Sequence, residues 1–474
     1  SAPGIVGLLN SGILNPFSVT QTPEALAALE AISAEGVMLY GGQYKVTQFD
    51  GSVSGSLFTL PGGDAKLAVG VDYRRETYGF DGSSAGIIGA PDIFNVAFDN
   101  VNALSGLHRT VKAAYAEVLL PVLDVLEVTV AGRVDDYSGF GTTWNPKVSA
   151  QFRPADWVMF RASYNTGFRV PNFNQIFNGL TESPINSASQ GDPRLCPKGV
   201  VTTTVAGCVS IASQNAEAVS VTGGRRDVGP ETSDQYSIGM VLQPSRHFSA
   251  SVDFWSINVD DVIGAPTAVE VLQYSDIFSS RIIRNGAGII DELDLRTGNL
   301  GSRRTQGIEV TLRGNVDVGG GTLTAGIEGT YLVKKKERFV ADAPWRDLIG
   351  IFTYTGDLGL RWKHNAFITW ANDDVSLSLS QIFRNGYRNN TLITGALTRP
   401  DYNPRVKDYT IYNLSASFRV DERYNFNVGV RNLFDKDPPF AITYDSSTGA
   451  GSSWEPRVAD PRGRSFTFGV EARF

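Results

Sequence analysis

Three residue types are scarce in this chain of 474 residues, which has 3 histidines, 3 methionines and 2 cysteines. A metal site on the two cysteines is not favoured, because none of the histidines lies near them in the sequence. The net charge of −7, with no basic stripe, argues against a nucleic-acid partner. No apolar run approaches the ~20 residues that a membrane-spanning helix needs. Nucleic-acid binding and helical membrane spans are therefore both disfavoured.

The sequence also lacks a catalytic constellation. Gly319-Gly320-Gly321 is typical of a turn and is not followed by the Lys-Ser/Thr of a phosphate-binding loop. The acidic pairs Asp135-Asp136 and Asp260-Asp261 lie at the ends of predicted strands, where solvated charges are favoured over Ca²⁺ ligands. We therefore expect no enzymatic activity, no cofactor and no metal site.

Cys196 and Cys208 lie close together in a polar stretch. This spacing favours one loop disulfide formed in an oxidising compartment, with two free thiols or a metal pair as the alternatives. The chain begins Ser1-Ala2-Pro3, without an initiator methionine, a basic n-region or an apolar h-region. This beginning indicates a processed or partial chain.

Strict alternation of apolar and polar residues is the main positive signal. In the last segment, 464–474, Phe466, Phe468, Val470 and Phe474 alternate with polar and small residues. The mean hydropathy of −0.10 does not exclude a membrane protein, because about half of each strand of a transmembrane barrel faces a polar lumen. Repetition of this pattern along the chain predicts an all-β fold, namely a transmembrane antiparallel β-barrel.

Alternation predicts about fifteen strands. They are 44–60, 65–78, 108–120, 125–137, 144–153, 157–168, 233–242, 248–260, 303–316, 321–338, 355–370, 374–388, 406–420, 423–434 and 464–474. Short turns rich in Pro, Gly, Asp and Asn alternate with mostly long connections, at 79–107, 169–232, 261–302, 339–354, 389–405 and 435–463. Short turns at one rim and long loops at the other are typical of bacterial outer-membrane barrels, in which the long loops are extracellular.

The odd strand count predicts that part of the barrel is missing from this chain, since antiparallel bacterial barrels close with an even number. If the complete barrel has about 22 strands, as plugged transporters do, roughly seven strands and any plug are absent. Residues 1–43 then begin outside the cell as a loop segment, in which Thr22-Pro23 and the following EALAALEAISAE predict a short capped helix. Residues 44–474 form the C-terminal part of the barrel. The alternative is a smaller barrel that closes by itself, with an extra strand in 1–43 or 265–300.

Several blocks resemble the C-terminal barrel of TonB-dependent outer-membrane receptors. They are GRVDDYSGFGTTWNPKVSAQFRP (132–154), FRASYNTGFRVPNFNQIF (160–177), VGPETSDQYSIGM (228–240), YNFNVGVRNLFDKDPP (424–439) and the terminal RSFTFGVEARF (464–474). The resemblance covers about residues 108–474. Val228-Gly229-Pro230 departs from the Asn-Pro-x-Leu-Lys-Pro run that is common in the family.

The resemblance implies a barrel that is plugged by an N-terminal globular domain and coupled to TonB. It implies active uptake of a scarce or bulky substrate, with a ferric siderophore as the leading expectation and an oligosaccharide or a passive porin-like channel as alternatives. The implied partners are an N-terminal fragment with the plug and the missing strands, the TonB-ExbB-ExbD complex acting through that fragment, and outer-membrane lipid and lipopolysaccharide. The long loops would be extracellular and the C-terminus periplasmic.

Candidate ligand contacts are aromatic and basic residues at the long loops, although the same residues suit loop packing or pairing with carboxylates. They are Trp345, Tyr354, Arg384, Tyr387, Tyr402, Tyr444 and Trp454. Two further groups have structural interpretations. Tyr78, Tyr164, Tyr331 and Tyr412 fit interfacial girdles, and Arg161, Arg361, Arg384, Arg419 and Arg431 are predicted to point into the lumen. Lys334-Lys335-Lys336 would lie near the outer rim, either against lipid phosphates or as ordinary exposed charge.

Overall fold

The structure, a computed structural model, describes residues 4–33, 40–82, 104–352, 358–389, 405–420, 423–441 and 453–473. Most of these residues lie in one large antiparallel sheet and in the long loops at one end of it. Among the described residues, no helix is long and apolar enough to cross a lipid bilayer. The predicted all-β, antiparallel architecture is thus confirmed.

The strands are numbered in chain order. They are β1 (Tyr40–Leu60), β2 (Gly63–Gly82), β3 (Leu107–Leu123), β4 (Leu126–Tyr137), β5 (Gly141–Ala155), β6 (Val158–Arg169), β7 (Thr181–Pro184), β8 (Val219–Thr222), β9 (Glu231–Ser245), β10 (Phe248–Asp260), β11 (Ile263–Gly264), β12 (Ile282–Arg284), β13 (Ile290–Asp294), β14 (Gly298–Asn299), β15 (Ser302–Val318), β16 (Gly321–Arg338), β17 (Arg346–Asp347), β18 (Trp362–Ala371), β19 (Val375–Arg384), β20 (Tyr387–Arg388), β21 (Arg405–Val406), β22 (Tyr409–Val420), β23 (Tyr424–Arg431) and β24 (Ser465–Ala472).

The helices are short. They are α1 (Gly4–Ser11), α2 (Pro23–Ala31), α3 (Phe173–Phe177), α4 (Ile211–Gln214) and α5 (Ala268–Gln273), with 3₁₀ turns at Pro197–Gly199 and Ser279–Arg281. The predicted helix after Thr22 is α2, and the Thr22 hydroxyl accepts a hydrogen bond from the backbone N–H of Ala25 as an N-cap. Helix α1 was not predicted from the sequence.

The large sheet runs β1-β2-β3-β4-β5-β6-β9-β10-β15-β16-β18-β19-β22-β23-β24, and β17 pairs with β16 beside this path. The path has fifteen strands, one for each predicted segment. Within the described residues, β1 pairs only with β2 and β24 only with β23. The two end strands therefore do not pair with each other.

Several predicted strand boundaries were wrong by three residues or more, and local conformation explains two of the cases. The strand predicted at 423–434 ends at Arg431, because Asn432 is left-handed (φ 52°) and its side-chain amide bonds to the backbone of Lys436. The strand predicted at 374–388 ends at Arg384, because the chain turns at Gly386, where a Cβ would overlap the carbonyl of Val406. The strand predicted at 355–370 begins at Trp362.

One face of the sheet is apolar and the other polar, as the alternation predicts. Residues paired across antiparallel strands share a face. One row on the apolar face is Leu67, Val118, Val130, Val148, Tyr164 and Tyr236, and another is Ile368, Leu379, Leu414, Val430 and Phe466. A row on the polar face is Thr324, Thr369, Ser378, Ser415, Gly429 and Thr467. This two-sided pattern is typical of a barrel wall between lipid and lumen.

Charged side chains on the polar face pair with one another. Arg161 and Asp253 form a bidentate ion pair with N–O distances of 2.7 and 2.6 Å. Both residues lie opposite Gly239 on the intervening strand, where a Cβ would overlap the Asp253 carboxylate. Glycine at 239 therefore lets the ion pair bridge two strands over a third, and Arg161 lies on the polar face.

Candidate functional site

The long loops fold into two assemblies at the ends of the strands. The first loop assembly comprises residues 170–230, 261–301 and 339–345. It contains a four-stranded sheet in the order β12-β13-β8-β7, in which β8 and β13 run parallel. Its hydrophobic core combines all three segments: Ile185, Ile211, Ala218, Val271, Leu272, Phe278, Ile282, Ile290, Leu293, Leu295, Leu300, Val340 and Ala343. Loops from three different connections therefore form one packed unit.

A disulfide and a buried ion pair fix the first loop assembly. Cys196 and Cys208 are bonded, which confirms the predicted loop disulfide. Asp192 is buried nearby and accepts hydrogen bonds from both Nη atoms of Arg284, at 2.5 and 2.8 Å, and from the backbone N–H of Arg194. Burial by itself would raise the pKa of Asp192, but the hydrogen bonds from Arg284 and Arg194 outweigh it and hold the pKa below its ordinary value.

An arginine cluster surrounds the buried carboxylate of Asp294 in the same assembly. The nearest N–O distances from Arg296, Arg225 and Arg281 are 2.8, 3.7 and 3.8 Å. Burial raises the pKa of Asp294, but hydrogen bonds from Arg296 hold it below its ordinary value. Burial lowers the pKa of Arg281, whose Nη1 donates to the carbonyls of Asp294 and Arg296.

Carboxylates match the three arginines of this cluster, whereas the neighbouring Arg226 has none beside it. Asp227 pairs with Arg225 and is a second carboxylate, and Glu292 is a third that acts on Arg296. A fourth arginine, Arg226, is exposed and lies over the ring of Phe177 at 5.5 Å from the centroid. In the described residues, Arg226 has no carboxylate partner. Its guanidinium is therefore free to meet an anionic ligand.

Helix α3 connects the first loop assembly to the wall formed by β1, β2 and β3. Phe173 stacks on Tyr78 with ring centroids 5.6 Å apart, and it lies under the guanidinium of Arg109. Arg109 pairs with the buried Glu76 at 2.5 Å and donates from Nη1 to the carbonyl of Pro171. Tyr78 was predicted to lie in an interfacial girdle, but it packs against this loop helix instead. The cause is the long connection after β6, which brings Phe173 back to the wall.

The second loop assembly comprises residues 348–352, 358–361, 385–389, 405–408, 440–441 and 453–463. Its buried core is Phe352, Leu358, Leu360, Tyr387, Val406 and Ala441, with Val458 packed against it. Val458 and Ala459 also cover Ile382, Tyr409 and Ile411 on the strands. Parts of three connections, one of them shared with the first loop assembly, thus pack together over the polar face.

Four of the seven predicted ligand contacts fall in the described residues. The guanidiniums of Arg338 and Arg304 lie over the ring of Trp345, at 5.0 and 5.6 Å from its centroid. Tyr387 is 4% exposed in the core of the second loop assembly, where burial raises its pKa. Trp454 belongs to the same assembly. Tyr354, Tyr402 and Tyr444 lie outside the described residues. The structure thus places Tyr387 and Trp454 in the second loop assembly and Trp345 in the first.

Arg384 lies at the end of β19, on the polar face. Its Nη1 donates to the carbonyl of Phe383 at 2.8 Å and to that of His364 at 3.3 Å. Among the described residues it has no carboxylate partner. No carboxylate in this part of the chain therefore neutralises the positive charge of Arg384 on the face that would line a lumen.

The arginine cluster of the first loop assembly was not predicted from the sequence. Arg225 and Arg226 stand next to each other after Gly223-Gly224, and this run was the only local signal. Arg281 and Arg296 join them only through the fold, because the parallel pairing of β8 with β13 joins two separate loops. Within the described residues, no group of three or more His, Cys, Asp or Glu side chains is arranged to hold a metal ion.

The comparisons with known proteins agree with this architecture. The family described as TonB dependent receptor-like, beta-barrel matches residues 15–433. The chain is 22% identical over 334 residues to a probable TonB-dependent siderophore receptor, PirA, of Acinetobacter baumannii, covering 70% of this chain and 40% of that protein. It is 21% identical over 379 residues to the ferric enterobactin receptor PirA of Pseudomonas aeruginosa, covering 78% of this chain and 43% of that protein.

The fold is similar to the crystal structure of the ferric enterobactin receptor PfeA of Pseudomonas aeruginosa, a Q482A mutant in complex with enterobactin. The TM-score is 0.64 at 16% identity, covering 91% of this chain and 54% of that chain. The chain thus spans about half the length of these relatives, or less. Since the family match covers most of the chain, the protein belongs to the TonB-dependent receptors and corresponds to part of their β-barrel.

Proposed function

We propose that this chain is part of a bacterial outer-membrane receptor that imports a ferric siderophore with energy supplied through TonB. The two sequence relatives carry siderophore or ferric enterobactin in their names, which supports this substrate class. The long loops, folded into two assemblies at one end of the strands, would be extracellular. The C-terminal strand β24 then ends on the periplasmic side.

The observation that carries the proposal is the unbalanced positive charge at the loop end of the sheet. Arg226 and Arg384 have no carboxylate partner among the described residues. Guanidinium groups bind oxyanions through charge-assisted hydrogen bonds. This charge favours an anionic iron chelate over a neutral oligosaccharide.

The complete receptor would contain a plug domain and roughly seven further strands, giving a barrel of about 22. These parts would come from an N-terminal region of the same protein, and that region would carry the contact with the TonB-ExbB-ExbD complex. The proposal rests on family membership and on the end strands β1 and β24, which do not pair with each other in the described residues.

Binding and uptake of radioactive ferric siderophores by cells that carry the complete receptor tests the proposal. We expect saturable uptake that stops when the proton gradient is collapsed, because TonB coupling needs that gradient. A passive channel would continue to admit the substrate. Uptake of oligosaccharides with no response to any ferric chelate would contradict the substrate class.

Two substitutions test the charge argument. Arg226→Ala and Arg384→Ala should each weaken binding of an anionic ferric chelate about tenfold or more, because each removes a charge-assisted contact. Arg462→Ala is the matched control, since Arg462 lies in a loop and is already paired with Asp460 at 2.6 Å. Equal affinities for the wild type and both variants would remove these residues from the site.

A further inference from the structure

The first loop assembly is anchored to the sheet at one side, where its segments leave the strands. Arg169, the last residue of β6, pairs with Glu231, the first residue of β9, at 2.7 Å. The Glu231 carboxylate also accepts a hydrogen bond from the backbone N–H of Ile263 at 3.1 Å, just beyond β10. One carboxylate therefore joins the loop ends of three neighbouring strands and fixes the base of the assembly.

Helix α3 is the part of the assembly that reaches away from this base. It follows β6 in the chain, and in the sheet β4 and β5 lie between β6 and β3. Phe173 nevertheless contacts Tyr78 of β2 and Tyr44 of β1, with ring centroids 5.6 and 6.4 Å apart. The assembly thus extends from the end of β6 to the far side of β4 and β5, which are joined by a turn of only three residues, 138–140.

The wall socket that receives α3 consists of Tyr44, Glu76, Tyr78 and Arg109. The buried Glu76 carboxylate accepts hydrogen bonds from Nε and Nη2 of Arg109, at 2.9 and 2.5 Å. Arg74 also pairs with Glu76, at 2.9 Å. All of these residues belong to β1, β2 and β3. The wall therefore orients Arg109 and pairs Glu76 by itself, whether or not α3 is present.

Helix α3 is likewise complete without the wall. Asn172 and Gln175 form a capping box, in which the side chain of each accepts from the backbone N–H of the other, at 2.8 and 3.0 Å. The backbone N–H groups of Arg225 and Gly224 donate to the carbonyls of Gln175 and Asn178, both at 3.1 Å. These bonds tie α3 to the rest of the first loop assembly, so the helix would move with it.

The contact between α3 and the wall socket involves no ion pair of its own. The Arg109 guanidinium lies 5.1 Å from the ring centroid of Phe173, and its Nη1 donates to the carbonyl of Pro171 at 2.9 Å. Phe173 and Pro171 are both buried. Separating a buried ion pair is costly because a charge is left uncompensated. Withdrawal of α3 separates none, since Arg109 keeps Glu76, and the contact can therefore form and break as a unit.

We propose that the first loop assembly is a lid, hinged at the anchor of Arg169 and Glu231, and that α3 in the wall socket is the latch that holds it in place. In the released state Phe173 leaves the wall socket, and the assembly swings as one body with its disulfide and core intact. Rotation of a packed unit about a few residues at the ends of elements is a common mode of conformational change. The proposal requires no ligand, so it does not depend on the substrate class proposed above.

Spin labels at Ser105, beside the start of β3, and at Thr203, in the disulfide-bonded segment, measure the distance between wall and lid in the complete receptor. Both positions are exposed. The wild type should give one narrow distance distribution. Phe173→Ala should raise the population of a longer distance about a hundredfold or more, because the latch loses a buried aromatic ring. Arg109→Gln should raise it about tenfold, because the charge-assisted bond to Pro171 is lost.

The matched control is Arg133→Gln. Arg133 lies on β4 of the same wall, and its carboxylate partners, Asp135 and Asp72, belong to the wall as well. This variant removes a wall arginine without touching the latch. It should keep the narrow distribution of the wild type.

A covalent tie tests the latch in the opposite direction. Tyr78→Cys and Phe173→Cys, joined by a short bifunctional thiol reagent, should restore the narrow distribution in the Arg109→Gln background. Hydrogen exchange at Val271 and Leu293, in the core of the assembly, should stay slow in every variant, because the lid moves intact.

Four results would overturn the proposal. Unchanged distances in both Phe173→Ala and Arg109→Gln would show that α3 does not hold the lid. Equal broadening in Arg133→Gln would assign the effect to a loosened wall. A long distance that persists after cross-linking would place the motion elsewhere in the assembly, and rapid exchange at Val271 and Leu293 would show that the assembly unfolds instead of swinging.

Discussion

Asp192 is a buried acid whose ion pair with Arg284 joins two segments of the first loop assembly. Its carboxylate bonds to Arg284, which lies 92 positions away in the sequence, and to the backbone N–H of Arg194. The ion pair joins the disulfide-bonded segment to β12. Removing one partner of a buried pair leaves an uncompensated charge, which destabilises far more than the intact pair stabilises.

The stability of the first loop assembly should therefore depend on pH. The folded-state pKa of Asp192 lies below its ordinary value of about 3.9, so the carboxylate stabilises the assembly above that pH. This contribution is lost as the pH falls further, through the lowered pKa. Hydrogen exchange of residues 185–215 should accelerate below pH 4 in the wild type. Asp192→Asn should exchange faster at neutral pH and show less change with acid. An identical pH profile in the two proteins would contradict this role.

Strands were the elements that sequence could predict, because a wall between lipid and lumen imposes an alternation of period two. All fifteen strands of the main path were anticipated, and errors were confined to their ends, such as Arg431, where the left-handed Asn432 stops the strand. The loop assemblies were not predictable, since Ile185, Leu293 and Val340 come from three separate connections. Only the local spacing of Cys196 and Cys208 signalled structure there.

Strand β24 provides the test of the two faces. Phe468 is 72% exposed and pairs in register with Val428 on the apolar face. Phe468→Arg should lower the free energy of unfolding by about 2–4 kcal/mol near mid-bilayer, whereas Glu471→Gln on the opposite face should be mild. Urea unfolding in lipid vesicles measures both changes. Spin labels at 468 and 471 should report lipid and water, respectively, and the opposite accessibilities would reverse the assignment.

At the scale of the whole molecule, the two end strands of the main sheet, β1 and β24, decide how the barrel closes. Strand β1 has 21 residues and pairs on one side only in the described part of the chain. Backbone N–H and C=O groups at an open edge cannot be satisfied by lipid. An exposed edge of this length also invites pairing with other chains. A stable membrane-embedded form therefore needs a partner strand for β1.

We expect that partner to come from residues outside this sequence rather than from β24. Cysteines placed at Val53 on β1 and at Val470 on β24 should not cross-link in the outer membrane, because about seven strands would separate them in a barrel of about 22. The register pair Val428 and Phe468, replaced by cysteines in the same way, is the control and should cross-link efficiently. Mass spectrometry of whatever polypeptide cross-links to position 53 should identify an upstream strand of the receptor. Efficient cross-linking of 53 to 470 would instead mean that this chain closes its own, smaller barrel, since strands joined edge to edge leave no room for others between them.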